Sequence, residues 1–245
     1  MTTPRGLFVA VEGLDRSGKS THSQLLLDYL TTQKNLPCEL VKFPNRDSDS
    51  GRAIDLYLKG RKSLSDAEIH LLFSRNRWEA KDGMVSKLES GVSLICDRYA
   101  YSGVAYSSAK PVLPRLDLDW CKTPDAGLPL PDLVLFFDAD PAVLAQRAGF
   151  GAEIYEKLQF QKVVREQFLK LRAHNWVVID ASNGNIDVIQ SEVRKSVDSA
   201  LENLKTHAPP IGVLWPEFQQ EIPSPKCSNA KAKLEAKDSA ESEEE

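Results

Sequence analysis

The sequence lacks the features that mark secreted, membrane-embedded and zinc-binding proteins. Its four cysteines, Cys38, Cys96, Cys121 and Cys227, lie far apart and include no CxxC pair, which is typical of reduced thiols in an intracellular protein. No apolar run approaches the ~18 residues of a membrane span, and the run near the N-terminus is too short for a signal peptide. We therefore expect a soluble intracellular protein, cytoplasmic or nuclear, that does not bind a membrane.

An excess of basic residues is also missing. The chain carries 31 Lys and Arg against 35 Asp and Glu, a net charge of −4, whereas general nucleic-acid binders usually show a basic excess. This balance argues against a nucleic-acid partner. Histidine is scarce, and the four residues His22, His70, His174 and His207 are expected to be structural or exposed, so the chemistry of the protein should not depend on an imidazole.

Five short apolar segments alternate with longer stretches that have helical spacing. The segments are residues 7–12, 38–43, 92–97, 132–138 and 175–180. The third and fourth are almost continuously apolar, as expected for strands buried on both faces of a sheet. Strands that alternate with helices predict a doubly wound α/β fold with right-handed connections.

Helix signals and a change of composition complete the outline. A length of 245 residues favours one domain with a possible appendage. Helices are predicted over residues 19–33, from a capping box at Ser65 and Glu68 to Trp78, from Asp140-Pro141 onward, and over 156–174 and 186–204. Residues 1–215 should form the domain, and the Ser, Ala, Lys and Glu of residues 216–245 predict a disordered tail.

The stretch GLDRSGKST, residues 13–21, has the spacing of a P-loop. It follows the first predicted strand and opens the first predicted helix. This context favours a P-loop over an ordinary glycine-rich turn. Gly13 and Gly18 allow backbone amides to point inward, where they and the helix N-terminus form an anion site. Lys19 should reach the β and γ phosphates of ATP, and Ser20 should offer its hydroxyl to Mg²⁺.

Polar residues follow three of the predicted strands, at the edge where open α/β sheets bind ligands. The P-loop follows the first strand, Phe43 to Arg46 follow the second, and Asp97 and Arg98 follow the third. Asp97 is placed like the carboxylate that holds Mg²⁺ in P-loop enzymes. Arg46 and Arg98 exceed the needs of one ATP and indicate a second anionic substrate, although either could instead form a surface salt bridge.

Phe73 and Arg77 lie four residues apart on a predicted helix and share one face. Such a pair could stack on a nucleotide base and hydrogen-bond its edge. From spacing alone, a core phenylalanine beside a solvent-exposed arginine is the commoner arrangement.

The motifs together resemble the thymidylate kinase family of the eukaryotic type, from about residue 5 to 215. The resemblance rests on GLDRSGKST, FPNR, HLLFSRNRWE (70–79), DRYAYSGVAYSSAK (97–110) and DWCKTPDAGLPLPDLVLF (119–136). It implies the P-loop NTPase fold, with a five-stranded parallel sheet flanked by helices and a short lid at 149–160. It also implies transfer of the γ-phosphoryl of ATP to dTMP, giving dTDP and ADP, with Mg²⁺ as cofactor and a homodimer as the assembly.

The resemblance assigns roles to individual residues. Those implied at ATP are Gly13, Arg16, Ser17, Gly18, Lys19, Ser20, Thr21 and Arg147. Those implied at dTMP are Asp15, Phe43, Arg46, Phe73, Arg77, Arg98, Ser102, Gly103, Tyr106 and Tyr155. Catalytic roles fall to Arg16, Lys19, Asp97 and Asp15, and the metal ligands are Ser20 and Asp97.

More specific roles follow from the same resemblance. Phe73 matches the aromatic side chain that stacks on thymine, and Arg77 matches the residue at the thymine edge. Arg46 and Arg98 match the pair on the dTMP phosphate. The residues that match the wall disfavouring ribose are Ser102, Gly103 and Tyr106.

Arg16 fits a cation supplied by the P-loop itself to the phosphoryl group in transfer. In line with this, the lid has Ile154 where close relatives carry an arginine, and Lys157 is its only basic residue. Asp15 matches the residue that accepts from the 3′-hydroxyl of dTMP and is expected to orient Arg16.

Two other functions stay open at this point. A kinase of nucleosides or of other nucleotides would use the same donor site, but two arginines for an acceptor phosphate speak against a nucleoside. A P-loop protein without activity is the other alternative, and intact Lys19, Ser20 and Asp97 speak against it.

Overall fold

A computed structural model describes residues 5–111, 116–147, 151, 153–182, 185–207 and 209–219. Within these residues, five parallel strands form one sheet in the order β2-β3-β1-β4-β5. The strands are β1 (Phe8–Gly13), β2 (Cys38–Lys42), β3 (Ser93–Asp97), β4 (Leu133–Asp138) and β5 (Trp176–Asp180). Each begins and ends within one residue of its predicted segment, and the predicted α/β fold is confirmed.

The burial of the strands follows from their places in the sheet. β1 lies at the centre and is buried along its whole length, and its neighbours β3 and β4 are almost as fully buried. β2 is an edge strand and alternates between half-buried and exposed residues. The near-continuous apolar runs in the sequence therefore mark the strands that helices cover on both faces.

Nine α-helices occur in the described residues. They are α1 (Lys19–Asp28), α2 (Asp49–Leu58), α3 (Asp66–Trp78), α4 (Lys81–Glu89), α5 (Ala100–Ser108), α6 (Leu118–Lys122), α7 (Pro141–Leu144), α8 (Leu158–Leu171) and α9 (Ile186–His207). The expected first helix, residues 19–33, is α-helical to Asp28 and continues as one π-helical turn over Tyr29–Gln33.

The sequence signals for helix starts are present as hydrogen bonds. Ser65 accepts from the Glu68 amide at 3.3 Å, while Glu68 accepts from the Ser65 amide at 2.7 Å, which completes the predicted capping box. Asp140 caps the turn after it by accepting from the Ala142 amide at 2.7 Å. That helix is only four residues long, because it ends at Leu144.

Two groups of helices flank the sheet. α1 and α9 contact each other and the strands, and α5 contacts β1, α3, α6 and α8. No helix among the described residues is both long and apolar enough to cross a membrane. Trp215 packs edge-on against Tyr101, and Pro216–Phe218 form a short 3₁₀ helix. The rest of the predicted tail, residues 220–245, and residues 149–150 and 152 of the predicted lid lie outside the described residues.

Candidate active site

A cleft of about 560 Å³ lies at the carboxyl ends of β1, β2 and β3. It is where the sequence places its three polar strand ends. Gly13 and Ser17 are the predicted site residues that do not line the cleft; they belong to the P-loop that forms its floor. The predicted residues that line it are Asp15, Arg16, Gly18, Lys19, Ser20, Thr21, Phe43, Arg46, Phe73, Arg77, Asp97, Arg98, Ser102, Gly103, Tyr106, Arg147 and Tyr155.

The P-loop backbone needs glycine at both ends. Gly13 has φ +144°, and a Cβ there would lie 2.5 Å from the carbonyl oxygen of Phe137. Gly18 has φ +93° and precedes α1 directly, with no side chain to cap the first-turn amides of the helix. Arg16 also has a positive φ, +64°. The positive φ angles give the tight backbone of a P-loop, and the amide of Gly18 is followed directly by the N-terminus of α1, where an anion can bind.

Lys19 is buried in the loop that its own backbone helps to build. Its Nζ donates to the Leu14 carbonyl oxygen at 2.5 Å and to Ser17 Oγ at 3.4 Å. Burial and the nearby positive charge of Arg98 lower the pKa of Lys19 to about 7, against the pull of Asp15 and Asp97. A phosphate in the loop would supply the negative charge that restores the ammonium form.

Ser20 and Asp97 form the oxygen pair predicted for Mg²⁺. Ser20 Oγ donates to Asp97 Oδ2 at 2.5 Å, and Lys42 Nζ lies 3.6 Å from the same carboxylate oxygen. Among the described residues no group of three or more His, Cys, Asp or Glu side chains could hold a metal. One carboxylate and one hydroxyl fit Mg²⁺ as it binds in phosphoryl-transfer sites, where substrate phosphates and water complete the shell.

Asp15 accepts three side-chain hydrogen bonds on the side of the cleft that is expected to bind dTMP, which we call the acceptor side. Its carboxylate accepts from Arg98, from Tyr106 Oη at 2.9 Å and from Gln161 Nε2 at 2.8 Å. Burial alone would raise the pKa of Asp15, but Arg98, Lys19 and these hydrogen bonds outweigh it and hold that pKa below its usual value. The carboxylate therefore stays ionised and can accept a further hydrogen bond.

Arg98 lies directly above the P-loop and in a constrained backbone conformation, with φ +69°. Besides Asp15, its guanidinium donates to the Gly13 carbonyl oxygen and to Ser102 Oγ, both at 3.2 Å, and it sits 5.5 Å from the centre of the Tyr106 ring. The group is thus held where a phosphate bound above Gly13 would meet it.

Arg16 contacts the lid through its side chain. Its Nε donates to Glu156 Oε1 at 3.1 Å, and the other oxygen of Glu156 accepts from the Gly151 amide at 2.7 Å. The expected role of Asp15 in orienting Arg16 stays a prediction, and the Asp15 carboxylate accepts hydrogen bonds from Arg98 and Tyr106.

Arg147 and Arg46 both line the cleft, and each joins two separate segments of the chain. Arg147 donates to the carbonyl oxygens of Arg16 and Ala181, both at 2.7 Å, and so joins the P-loop to the segment after β5. Arg46 bridges α2 and the lid by donating to Asp55 at 2.6 Å and to Glu153 at 2.7 Å. The salt bridge that the sequence left open for Arg46 is therefore present, on a side chain that also lines the cleft.

The pair on α3 differs from the arrangement that spacing alone favours. Arg77 is buried and makes a two-point ion pair with Asp125, from Nε at 3.0 Å and from Nη2 at 2.6 Å. Burial is tolerated because Asp125 neutralises the charge and accepts from two of the guanidinium nitrogens. Gly103 is required beside it, since a Cβ there would lie 2.8 Å from the Arg77 guanidinium. Phe73 is half-buried and packs in a cluster that also contains Tyr155.

Sequence reasoning missed several residues that shape the site. Glu12 is fully buried and accepts three hydrogen bonds, and a charged residue in the otherwise apolar run LFVAVE was the available signal. Asp125 lies in the segment PDAGLP, and nothing in that segment indicates that it pairs with Arg77. Gln161 on α8 contacts Asp15, and nothing in its spacing predicts that contact.

The comparisons with known proteins agree with one another. The family model described as "Thymidylate kinase" matches residues 11–193. The chain is similar to the thymidylate kinases of Arabidopsis thaliana (44% identity, 86% of this chain and 78% of the relative) and of Homo sapiens (40%, 88% and 100%). It is also similar to the solved thymidylate kinase structure of Candida albicans, with 34% identity, a TM-score of 0.75 and coverage of 86% of this chain and 98% of that one.

Proposed function

We propose a division of labour among the residues of the cleft, on the premise that the chain belongs to the thymidylate kinase family. The chain is a kinase that transfers the γ-phosphoryl of ATP to dTMP and yields ADP and dTDP. The observation that carries the proposal is the approach of two charged groups of residues, Lys19 with Ser20 and Asp97 on one side and Arg98 with Asp15 on the other, in one cleft.

The donor side binds ATP through the P-loop. The amides from Gly13 to Gly18 and the N-terminus of α1 surround the β and γ phosphates, and Lys19 reaches them with a charge that phosphate restores. Ser17 and Thr21 border these phosphates. Arg147 flanks the adenine, because its two hydrogen bonds fix it between the P-loop and the segment after β5.

Mg²⁺ is proposed at Ser20 and Asp97. The Ser20 hydroxyl and the Asp97 carboxylate would hold the ion, which would neutralise part of the charge of the ATP phosphates. The hydroxyl and the carboxylate already touch at 2.5 Å. Their task is to face the phosphates together, and the bond between them keeps both side chains in the same corner of the cleft.

The acceptor side binds dTMP in three parts. Phe73 covers the thymine, and Arg77 meets its edge with a guanidinium that Asp125 holds in one orientation. Arg98 and Arg46 hold the phosphate. The deoxyribose faces a wall of Ser102, Gly103 and Tyr106, and Asp15 accepts from its 3′-hydroxyl while Phe43 and Tyr155 complete the enclosure.

The chemical step follows from this placement. An oxygen of the dTMP phosphate attacks the γ-phosphorus, the bond to the ADP oxygen breaks, and the negative charge passes to ADP. The attacking oxygen is already anionic at neutral pH, so no side chain has to remove a proton. Lys19, Arg16 and Arg98 offset the repulsion between the two anionic substrates. The lid excludes water, which would otherwise accept the phosphoryl group.

The role of Arg98 gives the first test of this proposal. We expect Arg98→Ala to raise the KM for dTMP about 10- to 100-fold, because a charge-assisted contact of about 1.5–3 kcal/mol is lost. The KM for ATP should change much less. Steady-state rates with each nucleotide varied in turn measure both values.

Arg5→Ala is the matched control for Arg98→Ala. Arg5 also pairs with a carboxylate, Asp132, at 2.6 Å, but it lies before β1 and outside the cleft. Its loss should leave both KM values unchanged. If Arg98→Ala leaves the KM for dTMP unchanged, Arg98 does not bind the dTMP phosphate.

We also propose that the enzyme works as a homodimer inside the cell, in the cytoplasm, the nucleus or both. The support for a dimer is a set of large apolar side chains that are exposed in the single chain, Leu71 and Trp78 on α3 and Trp120 on α6. The rings of His70 and Trp120 lie 5.3 Å apart, so these two helices are neighbours. A second copy would cover this surface.

A further inference from the structure

Glu12 is a buried carboxylate at the end of the central strand. It is the penultimate residue of β1 and has no exposed surface. Its Oε1 accepts from the Tyr99 amide at 2.9 Å and from the Ser102 amide at 3.1 Å, and its Oε2 accepts from Ser102 Oγ. All three donors belong to the start of α5, which follows β3 and not β1.

These contacts cap α5 from another part of the chain. The first turn of a helix leaves amide groups without partners. Tyr99 precedes α5 but makes no side-chain cap, and the first turn of α5 contains no acidic residue. Glu12 takes the amide of the residue before the helix and that of the third residue inside it, which are the two amides that a capping box satisfies. Its negative charge also suits the helix N-terminus.

The capped turn is the one that carries the acceptor site. Arg98 comes immediately before it, with φ +69°, and its amide donates to the Val11 carbonyl oxygen next to Glu12. The Arg98 guanidinium donates to Ser102 Oγ, and Ser102 Oγ in turn donates to Glu12. A continuous chain of hydrogen bonds thus runs from the guanidinium through Ser102 to the carboxylate.

Charge reinforces this geometry. Burial raises the pKa of Glu12, while Ser102, Arg98 and the Tyr99 amide act in the opposite direction. In return, the negative charge of Glu12 favours the charged forms of Arg98 and of Lys19. The charged forms of Arg98 and Lys19 are therefore both favoured by the same buried carboxylate.

We infer that Glu12 is a positioning residue of the reaction, which fixes Arg98 and the first turn of α5 in the orientation that receives dTMP. It does not touch either substrate, and it acts through Ser102 and Arg98. The inference rests on the proposed placement of those two residues at dTMP.

Glu12→Gln is the informative variant because it keeps the size of the side chain. Oε1 receives two amides and Oε2 receives the Ser102 hydroxyl, so an amide group must present its NH₂ to one set of donors. We expect the KM for dTMP to rise about tenfold or more and the KM for ATP to change less than about threefold. Steady-state kinetics of the full chain measure the split.

Two further variants keep the test decisive. Asp132→Asn is the matched control, since Asp132 accepts from the Phe8 amide at the opposite end of the same strand and lies outside the cleft. It should lower stability without a change in either KM. Glu12→Asp keeps the charge but draws the carboxylate back by one methylene, and it reads the same split if the glutamine variant does not fold.

Hydrogen exchange separates this inference from the proposed function. The amides of Tyr99 and Ser102 should exchange faster in Glu12→Gln, whatever Arg98 does in catalysis. Faster exchange with a selective rise in the KM for dTMP supports the inference. Unchanged exchange overturns it, and so do unchanged or equally raised KM values. Arg98→Ala, measured in parallel, tests the proposed role of Arg98 separately. If that variant leaves the KM for dTMP unchanged, the proposed role of Arg98 is wrong, and the exchange rates in Glu12→Gln still report on the inference about Glu12.

Discussion

Arg16→Gly lowers kcat about 1000-fold and leaves the KM for ATP within a few-fold of its original value. An arginine supplied to the transferring phosphoryl group contributes about 10³ or more to kcat in related phosphoryl transfers, because it neutralises charge that develops in the transition state. In the proposed site the ground-state contacts of ATP come from the loop amides and Lys19, which the substitution leaves in place.

Glycine is the correct replacement at this position. Arg16 has φ +64°, and glycine adopts this conformation without strain, so the loop keeps its shape while the side chain is removed. Asn35→Gly is the matched control, because Asn35 also has a positive φ, +52°, and lies outside the cleft. Single-turnover and steady-state rates give the comparison. A nearly normal kcat in Arg16→Gly would remove Arg16 from the mechanism.

The contact between Arg16 and the lid sharpens this expectation. Glu156 holds Arg16 Nε in the structure and is itself held by the Gly151 amide of the lid. The charge of Arg16 is therefore partly neutralised before the substrates arrive. If Arg16 serves the γ-phosphate as proposed, that phosphate has to compete with Glu156 for the guanidinium, which links the position of the lid to that of Arg16.

Lys19→Met lowers kcat at least about 100-fold, because the loop loses the buried cation that we propose binds the ATP phosphates. A second readout is specific to Lys19. Since the pKa of this buried lysine is lowered to about 7, most of the free enzyme at pH 8 carries it neutral, and the bound triphosphate raises that pKa again. ATP binding at pH 8 should therefore take up close to one proton in the original protein and much less in the variant.

Calorimetric titrations in two buffers of different ionisation enthalpy count these protons. The same proton uptake in Lys19→Met would assign the uptake to another group.

The lowered pKa of Lys19 also makes the stability of the protein depend on pH. The folded pKa of about 7 lies below the ordinary value of 10.5, so the unfolded chain binds more protons between pH 7 and 10.5. The free energy of unfolding of the original protein should therefore rise with pH in this window relative to that of the variant.

The fold could be predicted from the sequence because its strongest signals are local. Strands buried on both faces must be apolar throughout, so β3 and β4 stand out as continuous runs, and the capping box at Ser65 and Glu68 marks the start of α3. The parallel sheet then brings the residues after β1, β2 and β3 to one edge. This is why most of the proposed site residues line one cleft.

Pairings between distant residues could not be read from the sequence. Arg77 is buried because Asp125, 48 positions away, faces it, and spacing on the helix alone favoured solvent. Arg16 and Asp15 are neighbours in sequence, yet they bind Glu156 and Arg98 respectively. The three-dimensional fold decides which carboxylate meets which cation, and a one-dimensional pattern gives only the inventory of charges.

The most direct test of the account is a panel of nucleoside monophosphates with ATP and Mg²⁺, read as ADP release. The proposed dTMP site combines an aromatic face at Phe73, the Arg77 guanidinium that Asp125 holds in place and Gly103 next to that guanidinium. It predicts that kcat/KM for dTMP exceeds that for UMP and CMP by roughly 100-fold or more. Equal rates on the three nucleotides would contradict it.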